Sequence, residues 1–315
     1  MSIELELKFL LAPAHSDLLP ALLASCGRIT DSGPVALLNA YYDTPDNWFR
    51  RQNMGLRTRL KNGCFEQTIK LAGQQHGALQ ARPEFNLPTS DIVPDLAAFP
   101  LEIWPADTDI QALQQQLTEI FRTDFIRHSW QLACDGTVLD VVYDTGDVIA
   151  GTKTEAIAEL ELELLNGNVN PLFSVAEQLI SKLPLRTGWL SKAARGYLLA
   201  DKQQLSMPVA EPQGLIANLS ALQCVEAVYY RQLSNVAELQ LQLPLLEQAS
   251  HYLQRLSAEL NTLQFSGYSQ QASTLAGQLS QGVVVFELKA YNSFLLALSV
   301  LLLQQSGVLT GQEKS

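Results

Sequence analysis

The chain has 315 residues, 47% of them hydrophobic and 17% charged, with a formal net charge of −11. That balance excludes an intrinsically disordered protein, and the length allows two domains with sizeable cores. The acidic excess argues against nonspecific DNA or RNA binding, so no nucleic-acid partner is expected. Any anion must be caught by a local cluster of cations.

The first element is Ile3-Glu4-Leu5-Glu6-Leu7-Lys8. Its period of two predicts a strand with Glu4, Glu6 and Lys8 on one face and Ile3, Leu5, Leu7 and Phe9 on the other. Residues 13–27 read as a helix, with Pro13 near its start and Gly27 as its stop. A strand over 35–42 follows, then the turn Asp43-Thr44-Pro45-Asp46-Asn47 and a short helical segment around Trp48. Strands near 55–61 and 64–72 are joined by Asn62-Gly63, a strong hairpin signal. Arg57 and Arg59 share one face of the first, Glu66, Thr68 and Lys70 one face of the second. A strand over 78–87 aligns Arg82, Glu84 and Asn86.

Residues 88–109 read as a loop with short turns, and 110–121 as a helix. Strands are expected near 124–134, 137–144 and 147–150, with turns at Asp135-Gly136 and Thr145-Gly146-Asp147. Arg127 and Ser129 share a parity, as do Asp140 and Asp144. The strand at 155–165 puts Glu159, Glu161 and Glu163 on one face. Residues 170–183 and 191–202 look helical, with Ser191 as an N-cap. Residues 206–214, with Pro208 and Pro212, form a linker. From Leu215 onward the chain has no Asp and carries apolar residues at helical spacing, as at Leu239, Leu243 and Leu246 and at Leu253, Leu256, Leu260 and Leu263. A small helical bundle is expected there.

The four cysteines, Cys26, Cys64, Cys134 and Cys224, form no CxxC pair, which argues against a zinc site. His15, His76, His128 and His251 show no ligand spacing. Acidic residues at 4 and 6 do not fit a secretory signal. The apolar run 294–303 is about half the ~20 residues that span a bilayer, and it reads as a buried helix. The expectation is a soluble cytoplasmic protein with reduced thiols and no membrane partner.

Alternating Glu and Leu describes any strand with one wet face. Here strand after strand repeats it, with arginines segregated from glutamates. Such strands can form an ordinary sheet or close into a barrel whose interior is charged, and parity alone does not separate the two.

Glu4-Leu5-Glu6-Leu7-Lys8 resembles the ExExK signature of the CYTH superfamily, the triphosphate tunnel metalloenzymes. Tyr42-Asp43-Thr44-Pro45-Asp46-Asn47-Trp48, Gly55-Leu56-Arg57-Thr58-Arg59, Arg82-Pro83-Glu84-Phe85-Asn86, the stretch 158–165, and Leu190-Ser191-Lys192-Ala193-Ala194-Arg195-Gly196-Tyr197 are similar to its bacterial inorganic triphosphatase branch. They occur in family order over roughly residues 1–200. The resemblance implies an α+β fold: an eight-stranded antiparallel β tunnel with flanking helices over residues 1–204, a linker at 205–214, and an all-α region at 215–315. It implies metal-binding carboxylates at Glu4, Glu6, Glu161 and Glu163, with Glu159 and Asp144 as further members. It implies phosphate contacts from Lys8, Arg57, Arg59, Lys70, Arg82, Arg127 and Lys192. Glu4, Glu6 and Lys8 are the expected catalytic residues, and Mg²⁺ or Mn²⁺ the cofactor.

The chemistry agrees. Mg²⁺ and Mn²⁺ favour carboxylate and phosphate oxygens, while the arginine fork suits phosphate. The expected activity is metal-dependent hydrolysis of tripolyphosphate to pyrophosphate and phosphate. The alternatives are a nucleotide-processing tunnel enzyme (class IV-like adenylyl cyclase, or nucleoside or thiamine triphosphatase) and a noncatalytic polyphosphate binder. The region from Leu215 sits where a polyphosphate-associated CHAD domain often follows, but it is short and its cations are only Arg231, Arg255, Lys289 and Lys314. It reads as truncated or degenerate, binding polyphosphate weakly or not at all. Its Leu-rich faces allow packing or homo-oligomerisation.

Overall fold

Eight strands dominate the computed structural model, which describes residues 2–205, 207, 211–233 and 242–306. They are β1 (Ser2–Leu10), β2 (Arg28–Asp43), β3 (Gly55–Lys61), β4 (Cys64–Lys70), β5 (Leu79–Thr89), β6 (Thr118–Cys134), β7 (Thr137–Ala150) and β8 (Lys153–Asn166). Their order is β1-β8-β7-β6-β2-β3-β4-β5, and pairing of β5 with β1 closes the ring. This is the closed antiparallel barrel that the resemblance implies.

The barrel is apolar outside and charged inside, the reverse of an ordinary soluble barrel. Leu7 and Phe9 of β1 and Leu160 and Leu162 of β8 point outward and are fully buried. The outer face of β2–β4 (Ala40, Tyr42, Leu56, Ile69) packs on Phe49, Met54, Leu96, Phe99, Ile103, Trp104 and Leu113. Covering the outside leaves the inward parity free to carry charge.

Helices α1 (Leu19–Cys26), α2 (Trp48–Arg51), α3 (Ile110–Gln116), α4 (Asn170–Lys182) and α5 (Lys192–Leu199) fall where helices are expected. The Asn62-Gly63 and Asp135-Gly136 turns have positive φ at both residues, as a tight hairpin requires. Three expectations need correction. The helix at 110–121 stops at Gln116, and the alternating residues from Thr118 already belong to β6. Thr145-Gly146-Asp147 is not a turn but the middle of β7, paired to β6 on one side and β8 on the other. Gly146 is there for close approach, since a Cβ would lie 2.1 Å from the Asp124 carbonyl oxygen. Strand β2 begins at Arg28, seven residues early, because a bulge between Asp31 and Pro34 carries it past a proline.

The chain divides into two compact units. One comprises Met1–Gln75, Gln80–Val175 and Leu190–Gln204, and the other His76–Leu79, Ala176–Trp189 and Leu205–Ser315. The second contains α6 (Leu215–Leu233), α7 (Gln242–Thr262), α8 (Ser266–Ser280) and α9 (Lys289–Gln305). Leu246, Leu253, Leu256 and Leu260 enter its core, whereas Leu243 is exposed and Leu263 falls just past the end of α7. Leu239, Pro208 and Lys314 lie outside the described residues. The apolar run of α9 is buried, with Phe294, Leu295 and Leu298 at 1% exposure or less. Among the described residues no helix is long and apolar enough to cross a membrane.

Candidate active site

The barrel encloses a cavity of about 190 Å³. Strand β1 supplies Glu4, Glu6 and Lys8; β3 supplies Arg57 and Arg59; β4 and β5 supply Lys70 and Arg82; β6 supplies Arg127; β8 supplies Glu161 and Glu163; and Lys192 opens α5. Ser191 caps that helix, accepting from the Ala194 N–H at 3.1 Å. Eleven residues singled out from the sequence therefore face one space.

The register explains the acidic wall. Glu6 stands opposite Glu163 across β1–β8, and Glu163 opposite Asp140 across β8–β7. Lys8 stands opposite Glu161 one level deeper. The crowding shows in the titration. Burial, reinforced by Glu161 and Glu4, pushes the Glu6 carboxyl up to about 8. Burial, with Glu4 and Glu84, raises Glu163 to about 7. Burial would raise Glu161 too, but Lys192, Arg127 and Lys8 outweigh it and hold that carboxyl well below the usual range.

Asp144 and Glu159 share the inward parity but do not line the cavity. Both are fully buried behind it. Arg127 binds Asp144 through two hydrogen bonds of 2.7 Å. Lys192 reaches Asp144 and Glu159 at 2.8 Å and Glu161 at 2.7 Å. Arg195 bonds Glu155, Glu159 and the Ala156 carbonyl oxygen. These carboxylates act as counter-charges that aim Lys192 and Arg127, and neither has an oxygen turned to the open space. Helix α5 fills this end, with Ala193 and Tyr197 packed on Leu37, Tyr41, Phe121 and Phe125. The Tyr197 hydroxyl donates to Asp43 at 2.6 Å. Gly196 lets the helix meet the Phe121 ring, because a Cβ there would sit 2.1 Å from it.

On the cationic side, Lys70 pairs with Glu4 at 2.5 Å and Glu84 at 3.1 Å. Among the described residues Lys8, Arg59 and Arg82 meet only neutral oxygens. Lys8 donates to the Leu190 carbonyl at 2.5 Å, Arg59 Nε to Asn39 Oδ1 at 2.7 Å, and Arg82 to the Leu71 carbonyl at 3.4 Å. Arg57 Nε is buried without a partner. Burial and the neighbouring Arg57 and Arg127 pull Arg59 down to about 9. Three guanidiniums this close repel one another, so a site of this kind favours an incoming anion.

Sequence reasoning did not single out Asp140, Gln80 and Tyr41 as lining residues, nor Asn39, Thr123 and Arg195 as supports. Parity was the available signal for Asp140. Asn39 had none beyond being a polar residue inside Val35-Ala36-Leu37-Leu38-Asn39-Ala40.

A closed barrel with a charged bore, acidic on one wall and cationic on the other, is the architecture of a triphosphate tunnel. The CYTH domain family matches residues 2–197, and the chain belongs to that family. Among individual relatives, an inorganic triphosphatase of Haemophilus influenzae is 36% identical over 208 residues, covering 64% of this chain and 56% of the relative. The chain thus spans about half the length of the curated relative it matches. Of solved structures, the Hippeastrum protein HpAC1, described as having a dominant triphosphatase activity, aligns at 15% identity over 63% of this chain and 96% of its own, with a TM-score of 0.45. A Bacillus halodurans protein described as an adenylate cyclase candidate aligns at 20% identity over 57% and 90%, with a TM-score of 0.38.

Proposed function

We propose that the chain is a metal-dependent inorganic triphosphatase that cleaves tripolyphosphate to pyrophosphate and phosphate. The observation that carries this reading is the opposition of two walls in one enclosed bore. Glu4, Glu6, Glu161 and Glu163 stand on the neighbouring strands β1 and β8, Arg57 and Arg59 stand on β3, and Arg127 on β6 joins the two sets through its 2.9 Å pair with Glu161. A linear polyanion matches the cationic wall, and a divalent cation matches the carboxylates. The related inorganic triphosphatase of Haemophilus influenzae supports the same substrate class.

The donors suit Mg²⁺ or Mn²⁺ in kind. Among the described residues no three His, Cys, Asp or Glu converge tightly enough to form a cage. Mg²⁺ does not need one, because it is usually held by one or two carboxylates, waters and the phosphates of its substrate. Glu4, Glu6, Glu161 and Glu163 are the residues that would hold it. The ion would supply charge neutralisation at phosphate oxygens and a more acidic bound water. The chain's own residues do the rest. Arg57, Arg59, Arg82 and Arg127 grip the phosphate chain, and Lys192 closes one end. Lys8, anchored on the Leu190 carbonyl, stands between carboxylates and substrate as an orienting group. Phosphoryl transfer asks for this positioning and charge compensation more than for covalent chemistry.

An inorganic substrate is favoured over a nucleotide by the lining. Tyr41 is 6% exposed and stacked on Phe121 at 4.4 Å, so it offers no free ring to a base. In the helical unit Arg255 is tied to Glu211, Asn218 and the Pro212 carbonyl, and Lys289 to the Ser181 carbonyl. Neither is disposed for polyphosphate, which supports weak or no binding by that region.

Phosphate release should be measured with tripolyphosphate, ATP and thiamine triphosphate, each with Mg²⁺ and Mn²⁺. Turnover of tripolyphosphate above the others is expected, together with its loss in Glu4→Ala and Glu161→Ala. Undiminished activity in both variants would remove the carboxylates from the mechanism, and cyclic AMP from ATP would replace the substrate.

A further inference from the structure

Six of the seven cations of the bore fall into two sets, Arg57 standing apart with its buried, unpartnered Nε. Lys70, Arg127 and Lys192 each touch carboxylates, whereas Lys8, Arg59 and Arg82 touch only uncharged oxygens. The oxygens facing Lys8 and Arg82 belong to the backbone. The one facing Arg59 is a side chain, and so a position where sequence decides the charge.

Asn39 is 2% exposed and lies on β2 between β3 and β6. The register places Arg59, Asn39 and Thr123 in one row across these strands. Asn39 Nδ2 donates to Thr123 Oγ1 at 2.9 Å, which fixes the amide and turns its oxygen to Arg59 Nε at 2.7 Å. Thr123 is fully buried. An aspartate has the same shape and would keep the bond to Arg59, and the Thr123 hydroxyl can donate as well as accept. It would also relieve the repulsion from Arg57 and Arg127. The amide forgoes that relief, and an arginine left uncompensated in a buried row is useful only to a negatively charged visitor.

We propose that Asn39 is a positioning residue that orients Arg59 through a neutral amide, so that the guanidinium keeps its whole charge for a phosphate group. The proposal rests on the anion-binding reading of the bore. It distinguishes two jobs that one side chain performs: steering, which aspartate would do equally well, and abstaining from charge, which only the amide does.

The test uses the full chain as wild type, Asn39→Asp and Asn39→Ala, with tripolyphosphate as the probe and a chelator present so that nothing is hydrolysed. Melting temperature and calorimetric affinity are read for each. Asn39→Asp is expected to melt above wild type when empty, yet to bind tripolyphosphate roughly tenfold more weakly or worse, the value of a charge-assisted hydrogen bond. Asn39→Ala is expected to melt below wild type and to lose less affinity than Asn39→Asp. Opposite movement of empty-state stability and anion affinity is a pattern that a merely structural residue would not give. Wild-type affinity in Asn39→Asp would overturn the role of Asn39 alone, as would a greater loss in Asn39→Ala than in Asn39→Asp. A wild-type protein that neither binds tripolyphosphate nor melts higher in its presence would overturn the anion-binding reading, and this role with it.

Discussion

Replacing Lys192 by methionine tests the buried charge cluster behind the bore. Lys192 is 8% exposed and its ammonium lies within 2.8 Å of Asp144, Glu159 and Glu161. Removing one partner of a buried pair costs ~3–5 kcal/mol. The lower end applies here, because Arg127 still holds Asp144 and Glu161 and Arg195 still holds Glu159. A loss of ~3 kcal/mol corresponds to roughly 6–12 °C in melting temperature for a unit of this size. The deficit should depend on pH with a definite sign. Lys192 helps hold Glu161 below its ordinary 4.5. That contribution to stability is present above about pH 4.5 and is lost as pH falls toward the folded-state value. The gap between wild type and variant should therefore be widest near pH 7 and narrow below about pH 4.5. Thermal unfolding at pH 7, 5 and 4 measures it. A gap under about 1 kcal/mol at pH 7, or one that stays constant into acid, would refute the reasoning.

Glu6, raised from 4.5 to about 8, supplies a second pH signature. Between these values the folded state holds a proton that the unfolded state has released, so stability declines as pH rises through about 8. Glu6→Gln should flatten this decline, and Mg²⁺ should raise the wild-type melting temperature more at pH 8.5 than at pH 6, both read by calorimetry. Gly146→Ala forces a Cβ against the Asp124 carbonyl and should cost about 2 kcal/mol or more, seen as a lower melting temperature. Gly196→Ala should push α5 off the Phe121 ring and displace Lys192, so turnover of tripolyphosphate should fall even where the protein remains folded.

The strands and their inward faces were legible because alternation is a local property. Glu4, Glu6 and Lys8, and Glu161 and Glu163, could be assigned to one face before any pairing was known. What alternation does not encode is depth along the bore. Glu159 has the parity of Glu161, yet it lies where α5 fills the barrel and so becomes a counter-charge rather than a lining residue. Asp144 differs from Asp140 in the same way. Gly146 misled because glycine marks both a turn and a close approach, and only the partner strand decides between them. Asn39 was hidden because its role depends on Arg59 and Thr123, which the chain brings beside it from far along the sequence.

Closure of the ring at β1 also has a consequence for synthesis. The strand bearing Glu4 and Glu6 leaves the ribosome before its partners β5 and β8, and Glu6 meets Glu163 only after that residue has been made. Until then the edge of β1 that will face β8 stays unpaired, and the bore stays open along that seam. Long-range pairing of this kind is slow. The seam is therefore the natural last step of assembly, and a nascent chain interrupted before β8 would own most of the cationic wall but only Glu4 and Glu6 of the acidic one.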